Sequence, residues 1–263
     1  MPGADFVAES YGPKHAGLKA DLICCNMTLE HIADPLGFLR MIRANVDATG
    51  RPVLFFMVPD ATRLLREAAF WDVYYEHCNY FTPGSLARLF SLAGFDVEWL
   101  GLEFEDQYAA IEARPAATGG KTLCPGPAHP GDTLSLAHGF RDRVALSVRC
   151  WRDTIRRWRA GGKRIAIWGG GSKAVAFLGA LGPDAPADAV IDINPHRQGS
   201  WLPRLGLRVD SPNSLRQLRP GAVIVMNPAY RDEIREHLST MGLQPATLAL
   251  GDHPETPRHP MAK

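Results

Sequence analysis

Two kinds of apolar pattern alternate along the chain. Short continuous apolar runs are each stopped by glycine, proline or a polar turn. Between them lie stretches whose apolar residues recur every three or four positions. The first kind predicts buried strands and the second amphipathic helices. Asp21 to Asn26 and Pro52 to Val58 are strand runs, the second stopped by Pro59-Asp60. Between them, Asp34-Pro35 opens a helix striped by Leu36, Leu39, Met41, Ile42 and Val46 and closed by Gly50. A polar and aromatic segment, Phe70 to Phe81, follows. Thr82-Pro83 then caps a helix to Ala93. Phe95 to Leu100 alternates as a strand with one wet face does, and Tyr108 to Ala113 is its expected antiparallel partner. Strand, helix, strand, aromatic loop, helix and hairpin make the second half of an α/β sheet. Only 20 residues precede the Asp21 strand, too few for two earlier crossovers and their strands.

Residues 115–133 are rich in proline and glycine and read as a linker. Leu134 to Ala160 keeps one helical stripe through Leu136, Phe140, Val144, Val148, Trp151, Ile155 and Trp158. Arginines crowd its other face, which reads as solvated; the alternative is that one or two of them reach a substrate diphosphate. Arg164 to Trp168, Ala189 to Ile193, Gly221 to Met226 and Ala246 to Leu250 are strands alternating with helices, the signature of a small Rossmann-like parallel sheet. The helices are expected from Ser172 as N-cap to Leu181, from Ser211-Pro212 to about Leu218, and from Asn227-Pro228 through Met241. The expected organisation is 1–114, a linker at 115–133, a second domain at 134–251, and a disordered tail at 252–263.

Composition narrows the function classes. The chain has 263 residues, 46% hydrophobic and 22% charged, with a formal net charge of +1, so it can bury real cores but carries no basic face for nucleic acid or a membrane surface. No run reaches ~18 apolar residues, and the N-terminus lacks a basic-then-apolar leader. Five cysteines, odd in number and without metal-type spacing, read as free thiols of a cytoplasmic protein with no metal set.

The chemistry concentrates at Gly169-Gly170-Gly171-Ser172. Glycines let a ligand approach bare amides, and the helix that follows directs its free N–H groups and positive dipole end at the turn, which suits a phosphate or carboxylate. Gly169-x-Gly171-x-x-Ala174 fits a relaxed dinucleotide fingerprint, with Asp192 about twenty residues on, where a ribose-binding acid falls. A tight strand–helix junction of any doubly wound sheet gives the same pattern. Gly169, Gly171, Ser172, Lys173, Asp192, Asn194, His196, Asn227 and Tyr230 all fall at the carboxyl ends of the predicted strands, where ligands of such sheets sit. Asn194 and Asn227, each before proline, also suit plain turns.

The run Asp21-Leu-Ile-Cys-Cys-Asn-x-x-Leu-Glu-His-Ile-x-Asp-Pro resembles the fourth-strand region of class I S-adenosylmethionine-dependent methyltransferases. Tyr74-x-Glu76-His77-x-x-Tyr80-Phe81-Thr82 resembles their sugar C-methyltransferase branch. So do Gly169-Gly-Gly-Ser-Lys-Ala-Val-Ala-Phe-Leu, Val190-x-Asp192-x-Asn194-Pro195-His196-x-Gln198-Gly199 and Val223-Ile-Val-Met-Asn227-Pro228-x-Tyr230, which are similar to that branch's C-terminal domain. The resemblance implies an α/β fold: a partial class I methyltransferase sheet, its second half, followed by the Rossmann-like domain. The family's glycine-rich S-adenosylmethionine loop, its acidic ribose contact and its cysteine-bearing N-terminal module have no counterpart here. Asn26 and Met27 are left as the cofactor contacts.

In sugar C-methylation a carbon beside a ketone loses a proton before it attacks the sulfonium methyl. This needs a base near neutral pH and a donor for the enolate oxygen. The resemblance implies His77 or His31 as base, with Tyr74 and Glu76 orienting a nucleotide-linked sugar. The alternative for Tyr74 to His77 is a packed aromatic lid. Catalysis would then need the absent methyltransferase half from another chain. Two other functions stay open: a non-catalytic module that holds a nucleotide or NAD, and a structural remnant that only pairs with an intact homologue.

Overall fold

The computed structural model describes residues 3–47, 51–117, 130–183 and 187–252. Gly50, the middle of the 115–133 linker and the tail beyond Asp252 lie outside the described residues. The chain divides into two compact units. The first joins Met1–Thr62 to Glu76–His129, and the second joins Arg63–Tyr75 to Pro130–Lys263.

The first unit contains β1 (Leu22–Asn26), α1 (Pro35–Asp47) and β2 (Val53–Pro59). The division between the units falls inside α2 (Ala61–Glu67), which the periodicity did not announce. After the second unit's insert come α3 (Pro83–Leu92), β3 (Phe95–Glu103) and β4 (Tyr108–Pro115). The sheet order is β1-β2-β4-β3: β1 and β2 are parallel, and the β3–β4 hairpin is antiparallel with a bulge between Val97 and Trp99. A reciprocal capping box starts α3, with Thr82 Oγ1 accepting from Ser85 N at 3.2 Å and Ser85 Oγ accepting from Thr82 N at 2.9 Å. Leu39, Ile42, Leu54, Phe56, Phe90, Phe95 and Ile111 form the core, with Phe56 and Phe90 edge to face at 5.1 Å. The β1 strand, apolar in sequence, is an end strand of this sheet and alternates exposed and half-buried residues.

The second unit contains α4 (Pro130–His138), α5 (Phe140–Ala160), β5 (Ile165–Trp168), α6 (Ser172–Leu181), β6 (Ala189–Ile191), β7 (Val209–Asp210), α7 (Leu215–Leu218), β8 (Ala222–Val225), α8 (Arg231–Thr240) and β9 (Ala246–Ala249). The single helix expected over 134–160 is two helices parted at Gly139. The helix expected from Asn227 begins as a 3-10 turn, Pro228–Tyr230, before α8. All sheet pairs are parallel, in the order β7-β6-β5-β8-β9. The chain therefore builds β5, β6 and β7 toward one side and returns to place β8 and β9 on the other. The strand order reverses between β5 and β8, and the carboxyl ends there form the crevice where such sheets take ligands.

The reading of 1–114 as one module differs from the observed division, because Arg63–Tyr75 packs within the second unit. Phe70 and Trp71 join that unit's core; Phe70 stacks on Phe177 at 6.2 Å, and Trp151 meets Phe177 edge to face at 5.2 Å. The arginine face of α5 is partly internal. Arg143 donates to the carbonyls of Leu65 and Leu136, and Arg152 donates to those of Leu181 and Ala180 at the end of α6.

Candidate functional site

In the second unit a cavity of about 430 Å³ opens at the β5/β8 switch point. Trp168 and Gly169 line it from the end of β5, Met226 and Asn227 from the end of β8, and Ser172 and Lys173 from the first turn of α6. Gly169 has φ +113, and a Cβ there would stand 3.0 Å from Met226 Cβ, so glycine is required on both conformational and steric grounds. Gly171 is the N-cap of α6. Ser172, expected in that role, is the first helical residue instead and makes no capping bond. The amides of Ser172 and Lys173 have no intrahelical acceptor, whereas Ala174 N already donates to Gly171 O at 3.0 Å. Arg197 lines the same cavity and closes over the turn: a Cβ on Gly171 would lie 3.0 Å from its guanidinium.

Of the expected site residues, Tyr74, Gly169, Gly171, Ser172, Lys173, Asp192, Asn227 and Tyr230 meet at this cavity; Asn194 and His196 do not. Asn194 builds the loop after β6, with Oδ1 accepting from His196 N at 3.0 Å. Asn227 caps the 3-10 turn by accepting from Ala229 N at 3.3 Å. Asp192 is buried and engaged: Oδ2 accepts from Gly170 N at 2.8 Å and pairs with Arg197 at 3.2 Å, while Oδ1 accepts from Asn194 N at 2.8 Å. Lys173 Nζ pairs with Asp72 Oδ1 at 2.7 Å, and the Tyr74 hydroxyl donates to that same oxygen at 3.1 Å. Glu233 also lines the cavity, as do Trp168, Arg197 and His237, which were not singled out in sequence. Only the spacing of Arg197 from Asp192 could have signalled it.

The Tyr74-Tyr75-Glu76-His77 motif is divided between the units. Tyr74 serves the second unit's cavity. Glu76 and His77 belong to the first unit, where they meet the Leu29–His31 turn that follows β1. His31 Nδ1 lies 2.9 Å from the backbone carbonyl of Glu76, and the His31 and His77 rings stand edge to face with centroids 4.8 Å apart. Asn79 ties the segment down, with its N donating to Glu30 O and its Nδ2 to Ile32 O. Glu76 thus contributes its carbonyl here. Glu30, unmarked in the sequence reading, is 1% exposed, and burial raises its proton affinity above the ordinary carboxylate range.

Residues 3–99 match the family model of a methyltransferase domain, and residues 129–248 match that of a C-methyltransferase C-terminal domain. The chain thus carries two methyltransferase-family domains, the second of the C-methyltransferase C-terminal type. No curated protein matches it. Among solved structures it is similar to magnesium protoporphyrin IX methyltransferase (ChlM) from Synechocystis PCC 6803 with bound SAH. That match has 15% identity and a TM-score of 0.28, and it covers 38% of this chain and 48% of that one. The chain thus spans about half the length of that methyltransferase.

The methyltransferase family implies S-adenosylmethionine as the methyl donor. Among the described residues of the first unit, no strand runs into a glycine-rich turn. Asn26 ends β1, and Met27, at φ +50, donates its N–H to Met57 O at 2.9 Å. These two residues offer one wall and do not by themselves fit a nucleoside and a charged amino acid. Among the described residues no helix is long and apolar enough to cross a membrane.

Proposed function

We propose that this methyltransferase acts on a carbon of a nucleotide-linked ketosugar, with the nucleotide diphosphate held by the second unit. The cavity at the switch point carries the reading. A glycine turn, the amino end of α6 and the Arg197 guanidinium converge there, and all three suit phosphate oxygens. Tyr74 and Tyr230 line the same cavity and supply hydroxyls for the sugar.

The competing reading, an NAD-binding module, requires the acid after the second strand to accept ribose hydroxyls. Asp192 already accepts two backbone amides and an arginine. Turning it toward a ribose would strand those donors, so the observation favours the nucleotide-sugar.

In the first unit, His31 and His77 are the proposed proton acceptors for the carbon beside the ketone. The Glu76 carbonyl can only accept, so it holds a proton on His31 Nδ1 and leaves Nε2 as the basic nitrogen. A base so placed contributes roughly 10²–10⁴ in rate.

Calorimetric titration of the full chain with a nucleoside diphosphate, a nucleotide-linked ketosugar and NAD tests the assignment. Binding of the first two without NAD is expected. Binding of NAD alone would reverse it.

A further inference from the structure

We propose that Glu30, His31 and His77 form a binding site for a divalent transition-metal ion of the zinc class. Their ligand atoms all lie within 4.8 Å of one another, two imidazoles and a carboxylate on one small patch of the first unit. Two imidazoles and one carboxylate are a recurrent protein donor set for zinc, with water in the fourth position.

Three observations point to a cation. The Glu30 carboxylate is almost fully buried, and neither oxygen accepts a hydrogen bond from another described residue. A buried anion in that state lacks the compensation it needs. His31 gives its Nδ1 proton to the Glu76 carbonyl at 2.9 Å, the outer hydrogen bond that fixes a metal-binding imidazole's tautomer. The remaining Nε2 lies 4.0 Å from Glu30 Oε1, too far for a hydrogen bond and close enough for one ion to bridge the two. Bonds of about 2.0–2.2 Å to a tetrahedral ion place ligand atoms ~3.4 Å apart, so the three side chains need to draw in by about an ångström. The His31 side chain is 41% exposed, which gives solvent and ion an entry path.

The site goes beyond the methyl-transfer reading and does not rest on it. A metal on both imidazoles removes them as proton acceptors, so the metal-loaded cluster is a blocked form. Cys78 is the rival ligand: its Sγ lies 3.7 Å from His31 O and 3.9 Å from Glu76 O.

The test uses the full chain, stripped with chelator and titrated with Co²⁺ by visible absorption and with Zn²⁺ by calorimetry. One equivalent with tetrahedral Co²⁺ bands and no thiolate charge-transfer band is expected. Affinity should fall at least tenfold in both His77→Ala and Glu30→Gln, and stay unchanged in Cys78→Ser and Cys24→Ser. His77→Ala, on a partly exposed side chain, keeps the test valid if Glu30→Gln does not fold. Absence of binding, a thiolate band lost in Cys78→Ser, or unchanged affinity in His77→Ala would overturn the proposal. None of these outcomes depends on nucleotide-sugar binding.

Discussion

The carboxylate of Asp192 accepts the backbone N–H of Gly170 at 2.8 Å. This bond ties the loop after β6 to the glycine turn after β5 and makes the acid a scaffold of the turn. Replacing Asp192 with alanine orphans the amides of Gly170 and Asn194 and releases Arg197. The expected cost is about 1–3 kcal/mol, read by denaturant unfolding, together with weaker nucleoside diphosphate binding.

Gly170 itself leaves no room for a side chain. An added Cβ would lie 2.8 Å from Val209 Cγ1 and 3.0 Å from its Cγ2, inside the packed sheet. Gly170→Ala should cost about 1–3 kcal/mol, seen as a lowered Tm.

Arg197→Ala tests the phosphate assignment. Loss of one charge-assisted contact is worth about 1.5–3 kcal/mol, so nucleoside diphosphate affinity should fall roughly ten- to hundredfold by calorimetry. An unchanged affinity would remove the phosphate from this turn.

The two imidazoles of the first unit are also the proposed proton acceptors. In an active preparation His77→Ala should lower methyl transfer by roughly 10²–10⁴ while nucleotide-sugar binding stays intact. Normal turnover removes His77 from the reaction and leaves His31 as the base.

Trp71 measures how far the second unit depends on the 63–75 segment. It is buried in that unit's core cluster and lies edge to face with Phe70, which stacks on Phe177. Trp71→Ala should destabilise the unit by about 3–5 kcal/mol. An unfolding midpoint equal to that of the parent chain would show that the segment is dispensable.

Cysteine reactivity checks the first unit's edge strand. Burial pushes the Cys25 thiol up to about 11, and the Glu30 carboxylate adds to the rise, whereas its neighbour Cys24 is exposed. At pH 8 iodoacetamide should modify Cys24 well before Cys25, as peptide mass spectrometry would show.

Local pattern determined a large part of this protein. Apolar runs bounded by glycine and proline located Leu22–Asn26, Val53–Pro59, Ile165–Trp168 and Ala222–Val225, because strand burial and chain reversal are written in neighbouring residues. The Gly169–Gly171 turn was legible for the same reason: positive φ and close packing demand glycine there. What only the tertiary structure decided were relations between residues distant in the chain. Nothing near Asp192 announces that its oxygens are taken by Gly170 and Asn194. No periodicity shows that Phe70 stacks on Phe177, or that Tyr74 and His77, three residues apart, serve different units. Glu30 looks like an ordinary surface acid in sequence, and only the fold takes it out of water. Long-range packing sets burial, and burial, more than residue type, determines which polar groups are left for chemistry.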